Sequence, residues 1–199
     1  VVCTHLETRT TPAGRRLQMR TILDRLDEWG VTGPLLIGGD LNTSTFARGT
    51  RWRALRGVFR IIIEPRRRLE RALLRPDRAN ESLFQLLEQR GYRYRDLNDE
   101  QATYIQPVEV VEDAYYVPRF SQKLVIRKFA ATGGRVGLRL DWFIGRGLRP
   151  LAENEIVDPL TGVASTRPQT INGLIHSAGP LSDHHPIVVD FIPQPLTTA

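Results

Sequence analysis

Asp40 and Asn42 stand two residues apart at the end of the run Leu35-Leu36-Ile37-Gly38-Gly39-Asp40-Leu41-Asn42, where an apolar segment gives way to two glycines, a carboxylate and an amide. The apolar run reads as a short buried strand, and the glycines are expected to let the backbone turn sharply at its carboxyl end. At a strand tip a carboxylate and an amide so spaced can share one phosphate or one water. The plainer alternative is a Gly-Asp turn with Asn42 capping the next segment of chain. Three further polar groups lie on or beside apolar runs: His5, Asp141 within Leu138-Arg139-Leu140-Asp141-Trp142-Phe143-Ile144, and the pair Asp183-His184 before Pro186. A carboxylate inside an apolar strand is costly unless paired, so Asp141 demands a partner; a histidine is the obvious one and an arginine the structural alternative. His5 could equally be a satisfied core histidine. The adjacent His184 and His185 invite a zinc reading, but neighbours in an extended segment point to opposite faces and no second cluster has metal-ligand spacing.

At 199 residues, 41% of them hydrophobic and 25% charged, the chain is expected to form one domain around a substantial core. No apolar run approaches the roughly 20 residues needed to span a bilayer, so the chain reads as soluble and, by default, cytoplasmic. A single cysteine, Cys3, excludes an internal disulfide and a cysteine-based metal cage. Basic charge is local. Eleven Arg between Arg48 and Arg78 face only Glu64, Glu70 and Asp77, a net of +8, while the rest of the chain carries a net of −2. This arm directly follows the Asp40 segment.

The elements that must position these residues emerge from periodicity. Val1 to Leu6 is apolar and β-branched enough for a strand covered on both faces. Met19, Ile22, Leu23, Leu26 and Trp29 recur at helical spacing between Gly14 and Trp29, and Gly30 supplies a stop. In the basic arm, Trp52, Leu55, Phe59, Ile62 and Ile63 mark a helical stripe interleaved with Arg, broken by Pro65. A further helix is expected over 81–90, closed by Gly91, with Tyr92 to Leu97 leading toward the sheet. Lys123 to Phe129 and Leu138 to Ile144 read as a hairpin about Gly133-Gly134. Residues 145–180 read as loop, 187–192 as the last strand and 193–199 as a tail.

Four motifs in this order, Thr4-His5-Leu6-Glu7, Gly39-Asp40-Leu41-Asn42, Arg139-Leu140-Asp141-Trp142-Phe143 and Ser182-Asp183-His184-His185-Pro186, resemble those of the endonuclease/exonuclease/phosphatase superfamily, which includes DNase I. The resemblance implies an α/β (α+β) fold of the DNase I-like kind, a four-layer sandwich of two mixed β-sheets flanked by helices. It implies a metal-dependent phosphoester hydrolase using Mg²⁺ or Mn²⁺. Asp40 would orient or deprotonate the attacking water, and Asn42 would hold phosphate and water in line. Asp183 would sit at the metal, His184 would stabilise charge on the phosphate oxygens with Asp141 fixing its tautomer, and His5 would donate to another phosphate oxygen.

Members of that superfamily carry an amide and a metal-binding glutamate in the first third of the domain, and neither segment precedes Val1. The expectation is thus a partial domain over 1–192, incomplete at the amino end, with a basic insertion at about 45–80. Its metal site should be poor in carboxylates and its activity alone weak. For substrate, Arg66, Arg67, Arg68 and Arg71 favour nucleic acid, since Arg pairs bidentately with phosphate; the alternation of Arg with Trp52, Phe59 and Ile62 makes a phospholipid or phosphoinositide substrate, or an anionic membrane surface, the alternative. No obligate protein partner is indicated. The competing role is a catalytically impaired, anion-binding module.

Overall fold

The computed structural model describes residues 1–8, 10–43, 51–78, 81–107, 119–151, 167–176, 179–180 and 182–194; within these, nothing is said of the side chains of residues 51–55, 107, 119, 122, 131, 175, 176 and 180. The expectations for the side chains of Trp52 and Leu55, and for the segment 152–166, lie outside that description. The described chain is α+β. In order it runs β1 (Val2–His5), α1 (Pro12–Glu28), β2 (Leu35–Asp40), α2 (Arg51–Ile63), α3 (Arg66–Leu74), α4 (Ser82–Gln89), β3 (Tyr104–Pro107), α5 (Arg119–Phe129), β4 (Arg135–Leu138) and β5 (Asp141–Arg146). Six short strands come after these: β6 (Leu148–Pro150), β7 (Gln169–Thr170), β8 (Ile175–His176), β9 (Gly179–Pro180), β10 (Ile187–Val188) and β11 (Phe191–Pro193).

The central sheet has the order β1-β2-β5, with β1 parallel and β5 antiparallel to β2. Side chains alternate across a strand, so Leu35, Ile37, Trp142 and Ile144 share one face and Gly38, Asp40, Asp141 and Phe143 the other. Helices α1 and α4 cover the first face, where Met19, Leu23, Leu83, Phe84 and Leu87 complete a dry core. Trp142 is its centre: its ring lies 4.6 Å from Phe84, and its indole N–H donates to the Thr43 hydroxyl at 2.9 Å. Helix α1 starts at Pro12, ahead of the expected Gly14, with the Thr11 side chain accepting from the Gly14 N–H, and stops before Gly30, whose φ is 67°. Between α1 and α4 lies a buried ion pair, Arg15 Nη2 to Glu81 Oε2 at 2.7 Å, both side chains almost fully enclosed. Burial pushes the Glu81 carboxyl up, although Arg15 pulls it down.

A second core joins the basic arm to the sheet system: Val58 and Ile61 of α2, Leu69 and Leu73 of α3, and Val125 and Phe129 of α5 pack with Leu138 and Leu140. The Lys128 ammonium donates to the carbonyls of Ile61, Ile62 and Glu64, capping the carboxyl end of α2 and fixing α5 against it. Among the described residues no helix is long and apolar enough to cross a membrane.

Several sequence expectations are corrected. Lys123 to Phe129 is not a strand but the second half of α5, because Ser121, Val125 and Phe129 recur at helical spacing and are buried together. The Gly133-Gly134 pair, at φ 63° and 70°, closes that helix, with Gly134 N–H bonded to the Phe129 carbonyl. No hairpin joins these segments; β4 pairs with β3. Leu138 to Ile144 divides into β4 and β5, which belong to different sheets. Gly38 and Gly39 do not turn the chain: β2 continues to Asp40, and Gly39 is needed because its φ is 141° and a Cβ there would lie 2.0 Å from the Thr4 carbonyl oxygen. β1 is an edge strand with Cys3 and His5 exposed, so one face and not both is covered. The expected loop over 145–180 contains the short strands β6 to β9. The expected last strand divides into β10 and β11, and Pro193, expected in a tail, pairs with Leu148.

Candidate functional site

Register brings three of the singled-out side chains into one row. His5 lies directly opposite Asp40 across β1 and β2, and Asp40 directly opposite Asp141 across β2 and β5, all on the sheet face away from α1 and α4. The parallel β1 and β2 both run toward this row, while β5 begins at it. His5 Nε2 is 3.6 Å from Asp40 Oδ2, with the imidazole 70% exposed and the carboxylate far less so.

His184 extends the row. Its Nδ1 lies 2.8 Å from Asp141 Oδ2, the pairing that Asp141 demanded. The backbone makes this contact: Tyr104 bridges His184 and lays its ring against the imidazole, tilted by 41° at 4.9 Å, and the Ser182 hydroxyl accepts from the His184 N–H. Thr103 ties both partners down. Its hydroxyl accepts from the N–H groups of Leu140 and Asp141, each at 3.0 Å, and its carbonyl accepts from the His185 N–H at 2.7 Å. Asn98 serves the same strand, its side chain accepting from the Phe143 N–H and donating to the Phe143 carbonyl, as a neighbouring strand would. Neither Thr103 nor Asn98 was singled out from sequence; each is an ordinary loop residue type, and the only signal was a short polar side chain beside an apolar segment.

Asn42 is placed beneath the row, not in it. At φ 52° and 3% exposed, it donates its side-chain amide to the Leu6 carbonyl at 2.7 Å, while its backbone N–H donates to Asp40 Oδ1 at 2.8 Å. It thereby fixes the end of β1 and the orientation of Asp40 together. Arg66, Arg67, Arg68 and Arg71 lie on α3, which packs on β4, and none lines the cavity of about 810 Å³ that opens beside Asp141 and His184. Among the described residues Arg135 brings a guanidinium to this cavity, and Phe143, Leu174 and Pro186 supply apolar wall. Asp183 is exposed beside His184.

Electrostatics separates the two carboxylates. Burial pushes Asp40 above its usual 3.8, the neighbouring Asp141 charge adds to this, and the Asn42 N–H and the two histidines oppose it. The Asp141 hydrogen bond holds the His184 imidazole above its usual 6.5, partly offset by burial. Both shifts have the same sign for stability. A raised folded-state pKa contributes stability that is full below the unfolded value and lost as pH rises through the folded one. For Asp40 this loss begins above 3.8 and for His184 above 6.5. Denaturant midpoints are therefore expected to fall as pH rises above 6.5, and the Asp141→Asn variant is expected to flatten that decline. An unchanged slope in this variant would remove Asp141 as the cause.

Among the described residues no group of three or more His, Cys, Asp or Glu side chains is arranged to hold an ion. An oxygen donor of the kind a hard divalent cation takes is nonetheless present. Mg²⁺ keeps several waters and is commonly held by one or two carboxylates with substrate phosphate, and the Asp183 carboxylate stands exposed beside His184. Comparison with models of known protein families, with curated proteins and with solved structures finds no match.

Proposed function

We propose that the protein is a metal-dependent phosphoester hydrolase whose chemistry is carried by the row His5, Asp40, Asp141 and His184, on a DNase I-like sandwich of the endonuclease/exonuclease/phosphatase kind. The observation that carries this reading is the 2.8 Å contact between His184 Nδ1 and Asp141 Oδ2 at the end of a row that already aligns Asp40 with Asp141. A carboxylate on one imidazole nitrogen fixes the tautomer and leaves Nε2 for a substrate oxygen. The raised pKa of His184 keeps more of it protonated near neutrality, suited to stabilising negative charge on phosphate oxygens. Asp40, made more basic by burial, is suited to taking a proton from water. Exposed His5 can donate to a second phosphate oxygen, and buried Asn42 acts by positioning Asp40. Asp183 would hold Mg²⁺ or Mn²⁺, which when bound neutralises phosphate charge.

Nucleic acid is the substrate that the arginines of α3 favour, with phospholipid or phosphoinositide head groups as the alternative. The test is hydrolysis by this protein, with Mg²⁺ or Mn²⁺, of plasmid DNA, RNA, sphingomyelin and inositol phosphates in parallel. Metal-dependent release from one class is expected. Binding of several anionic substrates with no turnover of any would favour the anion-binding module instead.

A further inference from the structure

The outward faces of α2 and α5 combine two properties that a solvated helix face does not need. Phe59 is 66% and Ile63 62% exposed on α2; Phe120 is 66% and Leu124 41% exposed on α5. Each pair is four residues apart and so forms one stripe along its helix. The inward faces are already occupied, by Val58 and Ile61 on one helix and Val125 and Phe129 on the other. The exposed stripes are therefore surplus to the core. Lys128, bonded to the carbonyl end of α2, holds the two helices in fixed relation.

The charge carried by these two helices is of one sign, and Glu64, which follows Ile63, is paired with Arg60. Neither α2 nor α5 contains an acidic residue, and Arg56, Lys123 and Arg127 make no ion pair among the described residues. Cationic side chains interleaved with exposed apolar ones suit an anionic lipid surface, where the charge draws the helix down and the apolar groups enter the headgroup boundary. Single-stranded nucleic acid would also take Phe59 and Phe120, as stacking platforms. It would not use Ile63 and Leu124, which have no flat face to offer a base. The aliphatic half of the stripes decides between them.

We infer that the outer faces of α2 and α5 form a docking surface for anionic lipid, with Phe59, Ile63, Phe120 and Leu124 entering the bilayer boundary and Arg56, Lys123 and Arg127 meeting the headgroups. This surface shares no residue with the catalytic row, and the inference does not depend on the hydrolase reading.

The test is sedimentation of the protein with vesicles of phosphatidylcholine alone and of phosphatidylcholine mixed with phosphatidylserine, beside gel shift with single-stranded DNA and RNA. Binding to the mixed vesicles and much weaker binding to the neutral ones is expected. Phe59→Ser with Phe120→Ser, and separately Ile63→Ser with Leu124→Ser, should each weaken binding on the order of tenfold or more. Arg56→Gln, Lys123→Gln and Arg127→Gln should each cost roughly fivefold on anionic vesicles. All these positions are exposed or half-buried on the helix surface, and circular dichroism of each variant checks the fold. His184→Ala should sediment like the wild type, which separates failure of this inference from failure of the catalytic one. Absence of vesicle binding, binding indifferent to the Ile63 and Leu124 changes, or nucleic-acid binding lost with the basic residues while vesicles are ignored would each overturn it.

Discussion

His184→Ala is expected to lower turnover of the cleaved phosphoester by about a hundredfold or more, and Asp40→Ala by a comparable factor. Neither should move the melting temperature far, because Asp40 ends β2 on the face opposite the main core and His184 lies outside the strands and outside that core. Asp141→Asn separates the roles. It leaves His184 in place but removes the largest cause of its raised pKa, so the imidazole should titrate closer to 6.5. If the protonated imidazole is the active form, the alkaline limb of the pH–rate profile moves to lower pH while a reduced activity persists. The measurements are steady-state rates across pH for the three variants and a proton NMR titration of His184. Wild-type turnover in either alanine variant would sink the assignment, and an unmoved His184 titration in Asp141→Asn would show that the 2.8 Å contact does not govern its charge.

Arg15→Met is expected to be among the most destabilising single changes, costing about 3–5 kcal/mol, because it leaves the Glu81 carboxylate enclosed without its partner. Glu81→Leu should cost a similar amount, leaving the guanidinium behind. The double variant is the informative one. Desolvation of two charges offsets much of what they gain from each other, so Arg15→Met with Glu81→Leu should recover most of the loss. Urea denaturation of the four proteins gives the coupling energy directly. Additive losses in the double variant would mean that the pair is not the source of either single effect. Glu81 Oε1 has no hydrogen-bond partner among the described residues, consistent with a carboxyl whose burial outweighs its pairing.

That pair also marks the limit of what periodicity reveals. The stripe Met19, Leu23 and Leu26 was legible, and one turn earlier it points at position 15. An Arg there looks like a helix face meeting solvent, and nothing local says that Glu81, 66 residues away, is its partner. The strand, helix, strand unit β1-α1-β2 could be read because each element is set by its own apolar spacing. The candidate site was legible as residue types, and the pairing of Asp141 with a histidine came from the cost of an unpaired carboxylate.

The region around Gly133 and Gly134 was misread for a physical reason. Val125, Ile126 and Phe129 suit a strand as well as a helix, and a Gly-Gly pair ends either. Burial of Ser121, Val125 and Phe129 on one side decided for the helix. The depth of Asn42 was hidden likewise, since an amide at a strand tip looks the same whether it faces solvent or the Leu6 carbonyl. The two cores and the division of Leu138 to Ile144 between sheets are tertiary facts with no local signature.

Thr103 has a consequence for how the site comes into being. The dyad partners are 43 residues apart, and Thr103 lies 38 residues before Asp141, so three distant stretches of chain meet at one hydroxyl and one carbonyl. Each such meeting closes a loop, and the entropy of closure must be spent before any contact repays it. The His184 end of the row is therefore held only where Thr103 has docked, across separations of 38 and 43 residues, so a change at Thr103 acts on the dyad through chain connectivity as well as through geometry.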